Sequence, residues 1–306
     1  MSAHAVPIVK YHGTGNDFLV VDAAARVPDR AAFARVHCDR ETGVRAESAD
    51  IEVEPSGVDA AEGRRGADGV LFVSVEAGYT PTRLIMTLVQ PDGSTADMCG
   101  NGARVVARWA HDQTGDHEFM IDTQAGTRRA TVSADGREAT IEMGVPQFDP
   151  RAVPVDAEAP LVETPVEKLT VTAVDTGVPH AVAFVEPEEI DDVALESVAP
   201  PVRHASVFPE GANVNLAAIR EAEADGGPII DQRTFERGVE GETRSCGTGA
   251  VAVVAAAYRT GLIDDETAAT RPPGGELTIT APDGERATLT GPVAREYAGR
   301  VPAVSR

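Results

Sequence analysis

The chain has 306 residues, enough for two domains that each bury a core of their own. Its formal net charge of −22 argues against nucleic acid or an anionic membrane as partner, since both repel such a surface. Lys10 and Lys168 are the only lysines, and this acidic, Ala- and Val-rich composition suits either a salt-rich cytoplasm, where screening removes self-repulsion, or an ordinary acidic protein of a GC-rich genome, the first being the expectation. No apolar run is long enough to span a bilayer, and the start MSAHAVPIVKYHG lacks the marks of a signal peptide. The three cysteines, Cys38, Cys99 and Cys246, form no CxxC pair and no disulfide framework, so a cytoplasmic protein with reduced thiols is expected.

In chain order, residues 8–12 read as a strand, 13–17 as a Gly-bearing turn and 18–21 as an apolar strand. Residues 28–38 predict an amphipathic helix with Phe33, Val36 and Cys38 facing inward. The acidic segment 44–65 reads as a solvated loop insertion. Strands follow at 70–75 and 84–89, then the turn Gln90-Pro91-Asp92-Gly93-Ser94, then Cys99-Gly100-Asn101-Gly102-Ala103 opening an apolar helix. Strands at 119–123, 129–132 and 139–143 complete the first half. After the Pro-rich connection 145–165 the order repeats: strands at 169–175 and 181–185, a helix at 190–198, and strands at 214–219 and 229–236. Cys246-Gly247-Thr248-Gly249-Ala250 then opens a second apolar helix, with strands after it at 276–280 and 286–290. Residues 292–297 can pair with either half. The expected fold is α/β (α+β): two pseudo-symmetric lobes from an internal duplication, each a mostly antiparallel sheet or barrel around a central apolar helix. The boundaries are 1–144, with 293–306 free to complete that lobe, and 145–292.

The two cysteine motifs carry the chemistry. A helix N-terminus presents free N–H groups and a partial positive charge. A thiol placed there is expected to shift from a pKa of about 8.5 towards a thiolate, and the same N–H groups can hold a carboxylate. A single buried cysteine is ordinarily a small hydrophobe, which is the reading given to Cys38. Two copies of Cys-Gly-x-Gly-Ala, each at the mouth of an apolar helix, are not explained by packing. Asn16 and Asn213 sit at Gly-bearing turns, either for turn geometry or as carboxamides for a ligand's carboxylate or ammonium. His180 is a structural or a catalytic histidine. Glu236-Arg237 is a surface pair of little worth or, buried near the thiol, a carboxylate and a guanidinium for the two ends of an amino acid. No spacing fits a metal site, and the glycine turns lack the context of a dinucleotide fingerprint, so neither metal nor cofactor is expected.

Together the segments His12-Gly-Thr-Gly-Asn16-Asp-Phe18, Gly66-Ala-Asp-Gly69, Asp92-Gly93-Ser94, Cys99-Gly-Asn-Gly-Ala-Arg104, Pro179-His180, Ala212-Asn213, Glu236-Arg-Gly with Gly241-Glu-Thr243, and Cys246-Gly-Thr-Gly-Ala250 resemble the diaminopimelate epimerases along nearly the whole chain. The resemblance implies a monomer of two pseudo-symmetric α/β lobes with the active site in the cleft between them; the sequence itself leaves a homodimer open. It also implies inversion of one α-carbon without a cofactor, from LL- to meso-diaminopimelate, in lysine biosynthesis. By position, Cys99 and Cys246 would be the acid/base thiols. Asn16, Gln90, Asn213, Glu236 and Arg237, with the turns Gly100-Asn101 and Gly247-Thr248, would contact the substrate, and His180 and Glu236 would tune the thiols. Gln90 stands where the family usually has an asparagine, Val178 where it often has another, and 44–65 interrupts a region usually continuous. These departures bear on recognition of the distal end of the substrate. Rival readings are a proline or hydroxyproline racemase-like enzyme of the same fold, a thiol redox or thiol-metal protein, and a non-catalytic amino-acid-binding module. The redox reading expects a CxxC pair or a third ligand, and the binding module has no need of both cysteines.

Overall fold

The computed structural model describes residues 5–45, 52–53, 64–220 and 227–304, so most of the acidic segment 44–65 lies outside the described residues. The chain divides into two compact units, Met1–Ile141 with Gly291–Arg306, and Glu142–Thr290.

In the first unit the strands Ala5–Gly13 and Asn16–Asp22 form a hairpin. Its two loop residues, Thr14 and Gly15, take φ of 52° and 84°, the left-handed pair that suits a two-residue hairpin turn. Asn16–Asp22 then runs parallel to Gly69–Glu76, which pairs antiparallel with Thr82–Val89. Thr82–Val89 runs parallel to Glu118–Thr123, and Gly126–Val132 and Glu138–Gly144 follow antiparallel. The second unit repeats this sequence of pairings. Leu169–Asp175 is antiparallel to Pro179–Phe184, which is parallel to Asn213–Arg220, itself antiparallel to Ile229–Glu236. Ile229–Glu236 is parallel to Thr267–Arg271, with Leu277–Thr280 and Ala287–Pro292 antiparallel after it.

Parallel neighbours need a crossover, and each crossover here carries a helix. Helix α1 (Arg30–His37) and helix α3 (Leu195–Arg203) serve the first crossover of each unit. Helix α2 (Gly100–Thr114) and helix α4 (Gly247–Arg259) serve the second. The strands of each unit wrap the latter helix: α2 packs on Ala5–Gly13 through Gly126–Val132, and α4 on Leu169–Asp175 through Leu277–Thr280. This explains why both are buried on nearly every face of their first turns. The opposite face of the first sheet is closed by α1, where Phe33 and Ala34 join Val6, Ile8, Leu19, Val21, Val70 and Phe72. The second is closed by α3, where Leu195, Ala199 and Val202 join Val214, Leu216 and Phe235.

Several local expectations are corrected. Val36 points outward, 49% exposed, and α1 buries Phe33, Ala34 and His37 instead. Its start is set by Asp29, whose Oδ1 accepts from Ala32 N at 2.9 Å, so the apolar stripe begins later than expected. Helix α3 begins at Leu195 rather than at 190, because turns occupy the preceding residues. Thr164–Val166 and Thr267–Arg271 are strands missed in the sequence. The C-terminal strand Ala294–Pro302 pairs with Ala5–Gly13, which assigns it to the first unit. Cys38 is buried in the core as expected, and burial pushes its thiol up to about 12. Among the described residues no helix is long and apolar enough to cross a membrane.

Phe33 is fully buried, edge-on to His37 with ring centroids 4.4 Å apart and 6.2 Å from Phe72. Phe33→Ala is expected to destabilise the protein by about 3–5 kcal/mol, measured by chemical denaturation, because the sheet and α1 cannot collapse into the cavity.

Candidate active site

In the first unit, Cys99 is the N-cap residue of α2, with extended backbone at φ −143° and ψ 116°. Its Sγ accepts from Gly102 N at 3.3 Å. A Cβ at position 102 would lie 3.3 Å from Leu71 and 3.6 Å from the Cys99 sulfur, so glycine lets the helix start close to the sheet. Asn101 is buried and donates through Nδ2 to Asn16 Oδ1 at 2.6 Å. Asn16 in turn donates to Asp68 Oδ2 at 3.0 Å. Behind them the fully buried Arg104 donates to Asn101 Oδ1 at 2.7 Å, Thr14 Oγ1 at 2.9 Å and Pro292 O at 3.0 Å. Gln90, beyond the end of Thr82–Val89, is exposed and donates through Nε2 to Ser94 Oγ at 3.0 Å.

In the second unit, Cys246 is the N-cap residue of α4, again extended at φ −125° and ψ 106°. Here the side chain makes no capping bond, and Sγ lies 3.4 Å from Thr248 Oγ1. Thr248 O accepts from Thr176 Oγ1 at 3.0 Å, which pins the turn. Glu236 ends its strand half-buried and accepts from Thr243 Oγ1 at 2.6 Å. Burial raises the Glu236 carboxyl, partly opposed by Thr243 and by the Cys246 thiol. Asn213 Oδ1 accepts from Arg237 N at 2.7 Å, and Arg237 donates to Glu210 O at 3.1 Å. The structure therefore gathers Asn213, Glu236, Arg237, Cys246, Gly247 and Thr248 in one unit, and Asn16, Cys99, Gly100 and Asn101 in the other.

The lowering of the thiol pKa expected at a helix N-terminus is not found at Cys246. Burial and the Glu236 carboxylate push its thiol well up, and the Thr248 hydroxyl beside the sulfur does not offset them.

Sequence reasoning missed the polar chain behind Cys246. Gln232 Nε2 donates to Thr234 Oγ1 at 3.0 Å, and Thr234 Oγ1 donates to Asn215 Oδ1 at 2.8 Å. Asn215 Nδ2 lies 3.0 Å from His180 Nδ1. Since Asn215 Oδ1 already accepts, its Nδ2 donates, so the neutral imidazole accepts at Nδ1 and carries its proton on Nε2. A Cβ at Gly249 would lie 2.6 Å from Asn215 Oδ1 and 3.0 Å from Gln232 Nε2, so this chain presses directly on the first turn of α4. The available signal was Asn215 and Gln232 standing among apolar strand residues, where an unpaired polar group is costly.

Comparison with solved structures gives the fold. A PhzF-family phenazine biosynthesis protein from Bacillus anthracis superposes with a TM-score of 0.62 at 16% identity, over 97% of this chain and 99% of that one. A hydroxyproline epimerase from Agrobacterium vitis superposes with a TM-score of 0.57 at 18% identity, over 97% and 92%. The fold is thus the two-lobed one shared by PhzF-like and proline racemase-like proteins. Sequence comparison is more specific. The family described as diaminopimelate epimerase matches residues 47–148 and 172–296. A diaminopimelate epimerase of Methanothrix thermoacetophila is 40% identical over 292 residues, 93% of this chain and 91% of that one. Another, of Methanocella arvoryzae, is 38% identical over 304 residues, 97% and 96%. The chain belongs to the diaminopimelate epimerase family and is an isomerase.

His180 is fully buried, and burial together with Arg237 lowers its pKa from 6.5 to about 3. The unfolded chain binds this proton below about pH 6.5 and the folded chain does not, so stability falls as pH falls through the window from 6.5 towards 3. Between about pH 7 and pH 5 the protein is expected to lose about 2 kcal/mol more than His180→Gln does, measured by denaturation at each pH.

Proposed function

We propose that this protein converts LL-2,6-diaminopimelate to meso-diaminopimelate in lysine biosynthesis by a two-thiol mechanism. The observation that carries this reading is the duplication itself: two cysteines, each the N-cap of a buried helix, at the same topological place in two units of like pairing order. The names of the relatives supply the substrate.

Inversion of an α-carbon needs a base on one face and an acid on the other. One cysteine, as thiolate, removes the α-proton; the electron pair stays on carbon; the other cysteine, as thiol, delivers a proton to the opposite face. The two exchange roles with the direction of reaction. The free N–H groups at the starts of α2 and α4 would oppose the charge that builds on the substrate carboxylate. In this reading Asn213 and Arg237 bind the distal carboxylate, Glu236 meets an ammonium, and Asn16 and Asn101 line the reacting end. Gln90 takes the place of an asparagine of the family, so its carboxamide is set on a longer arm.

Cys99→Ala and Cys246→Ala are each expected to lower epimerisation by several orders of magnitude, and robust two-way turnover by either variant would overturn the mechanism. Proton NMR of the reduced protein with LL-diaminopimelate in D₂O tests the substrate. Meso product with deuterium at one inverted α-carbon is expected. Exchange only with another amino acid would keep the chemistry and overturn the substrate.

A further inference from the structure

The chain contains four asparagines, and all of them stand in the polar networks around the two helix starts: Asn16 and Asn101 in the first unit, Asn213 and Asn215 in the second. Because the units repeat one pairing order, strand register shows which of these groups the fold itself requires. Phe18 pairs with Gly69 as His180 pairs with Asn213, and Leu71 pairs with Leu88 as Asn215 pairs with Thr234. The polar chain His180–Asn215–Thr234 of the second unit thus corresponds to Phe18, Leu71 and Leu88 in the first. By the same register Asn16 corresponds to Val178 and Asp68 to Ala212. Counted from the cysteines, Asn101 corresponds to Thr248 and Arg104 to Val251. The second unit therefore builds the same strands and helix with no charge and no carboxamide at any of these four places. Something other than the fold calls for them in the first.

We propose that Asp68 and Arg104 are positioning residues that lock the Asn16–Asn101 pair in one orientation, so that Asn16 meets the substrate as a hydrogen-bond donor to a carboxylate oxygen. This rests on the reading in which Asn16 lines the reacting end. A guanidinium has N–H donors and no acceptor, and a carboxylate has acceptors and no donor. Arg104 can therefore face only the oxygen of Asn101, which it does at 2.7 Å. That turns Asn101 Nδ2 towards Asn16, whose oxygen accepts at 2.6 Å. Asn16 Nδ2 is then left for Asp68, which accepts at 3.0 Å and also takes Asp17 N at 3.1 Å. Starting from Asp68 gives the same orientation, so the two ends agree. A flipped pair would set amide hydrogens against the guanidinium and a carbonyl against the carboxylate. Both ends are themselves fixed: Arg104 by Thr14 Oγ1 and Pro292 O, and Asp68 by Arg40, which also bonds Asp17.

The order of the chain decides what Asn16 can offer. Its oxygen is taken by the buried Asn101, and one of its two amide hydrogens goes to Asp68. The other hydrogen remains, on a half-buried side chain. An asparagine at this turn suits a carboxylate or an ammonium as far as its residue type goes, and the orientation makes it a donor, hence a partner for carboxylate. When the α-proton leaves, charge builds on the carboxylate next to the reacting carbon, and a donor already fixed in place strengthens as that charge grows. Hydrogen bonds that run in one direction from a cation to an anion also polarise one another.

The test uses protein labelled with ¹⁵N at its asparagine side chains, whose four pairs of amide signals are assigned by replacing each asparagine in turn. Without substrate, Arg104→Met and Asp68→Ala are each expected to move the signals of both Asn16 and Asn101 and to leave those of Asn213 and Asn215 in place. Asp68→Asn keeps an oxygen for Asn16 and is expected to leave its signals near their unsubstituted positions. With LL-diaminopimelate, Arg104→Met and Asp68→Ala are each expected to lower kcat/KM about tenfold, and the double variant to lower it by less than the product, since both act on one pair. Asn16→Asp in the Asp68→Asn background keeps the two side chains bonded and is expected to raise KM about tenfold or more, because a carboxylate then faces a carboxylate. An Asn16 signal unmoved in folded Arg104→Met, losses that multiply, or an unchanged or lower KM with Asn16→Asp overturns the proposal. If Arg104→Met does not fold, the response of Asn101 to Asp68→Ala decides alone. The amide signals need no turnover. Signals that move as expected beside a failure to epimerise LL-diaminopimelate support the locked pair and remove the substrate; unmoved signals beside normal turnover remove the role of Asp68 and Arg104 and leave the two-thiol reading standing.

Discussion

A cysteine is a poor helix cap. Serine, threonine, aspartate and asparagine are the usual N-cap residues because a side-chain oxygen satisfies one of the bare N–H groups of the first turn. Here both buried helices begin on cysteine, and the rest of each unit answers that constraint. At α2 the sulfur takes the Gly102 N–H at 3.3 Å, and at α4 the side chain caps nothing. The helices cannot be stabilised at that end by solvent-exposed turns, since Ala103 and Ala250 are already buried. They are held instead by strands wrapped around them and by glycines that let the sheet come close, Gly102 against Leu71 and Gly249 against Asn215. Packing supplies the stability that capping does not.

The duplication preserved topology and let the buried chemistry diverge. Parallel and antiparallel pairings follow one another identically in the two units, yet the residues beneath the two cysteines differ in kind. Two thiols in identical surroundings would share a proton without preference, because coupled identical groups have no built-in order of titration. Replacing Phe18, Leu71 and Leu88 by His180, Asn215 and Thr234, and Val251 by Arg104, breaks that equivalence without altering a strand. The hydrogen-bonded network makes this tolerable in the second unit, since Asn215 and Thr234 are each bonded on both sides, while His180 Nε2 and Gln232 Oε1 are left without a partner among the described residues.

Much of this was legible in the sequence, for identifiable reasons. The cysteine motifs could be read because glycine, cysteine and an apolar run together have few structural explanations. The core strands could be read because alternation and turn residues mark them. The boundaries of α1 and α3 were less legible: Asp29 is an ordinary surface residue until its capping bond is seen, and Pro200 and Pro201 inside α3 argue against a helix there. The upward shift of the Cys246 thiol was not legible because the helix N-terminus is visible in the sequence while burial and the approach of Glu236, ten positions earlier at the end of a strand, are not. Arg104 stood inside a recognised motif, but its significance depends on complete burial, which a helix surrounded by strands creates and periodicity alone does not reveal.

The end of the chain bears on the first cysteine more closely than its distance in sequence implies. In a protein with two lysines, Lys10 is completely buried, 2.8 Å from Asp17 and 3.5 Å from Glu296 on the C-terminal strand. Burial raises the Asp17 carboxyl, but Arg40 and Lys10 outweigh it and bring it to about 2. That charge cluster ties Ala294–Pro302 to the hairpin that carries Asn16, and Pro292, just before the strand, supplies the carbonyl that seats Arg104. A Cβ at Gly13 would lie 2.9 Å from that carbonyl and 3.6 Å from the Arg104 guanidinium, so glycine at the hairpin turn is what admits the returning segment. The chain leaves the first unit after one cysteine, builds the second unit around the other, and comes back to complete the surroundings of the first. The first unit is thus finished by residues far apart in sequence, and the seating of the buried Arg104 depends on the returning segment being in place.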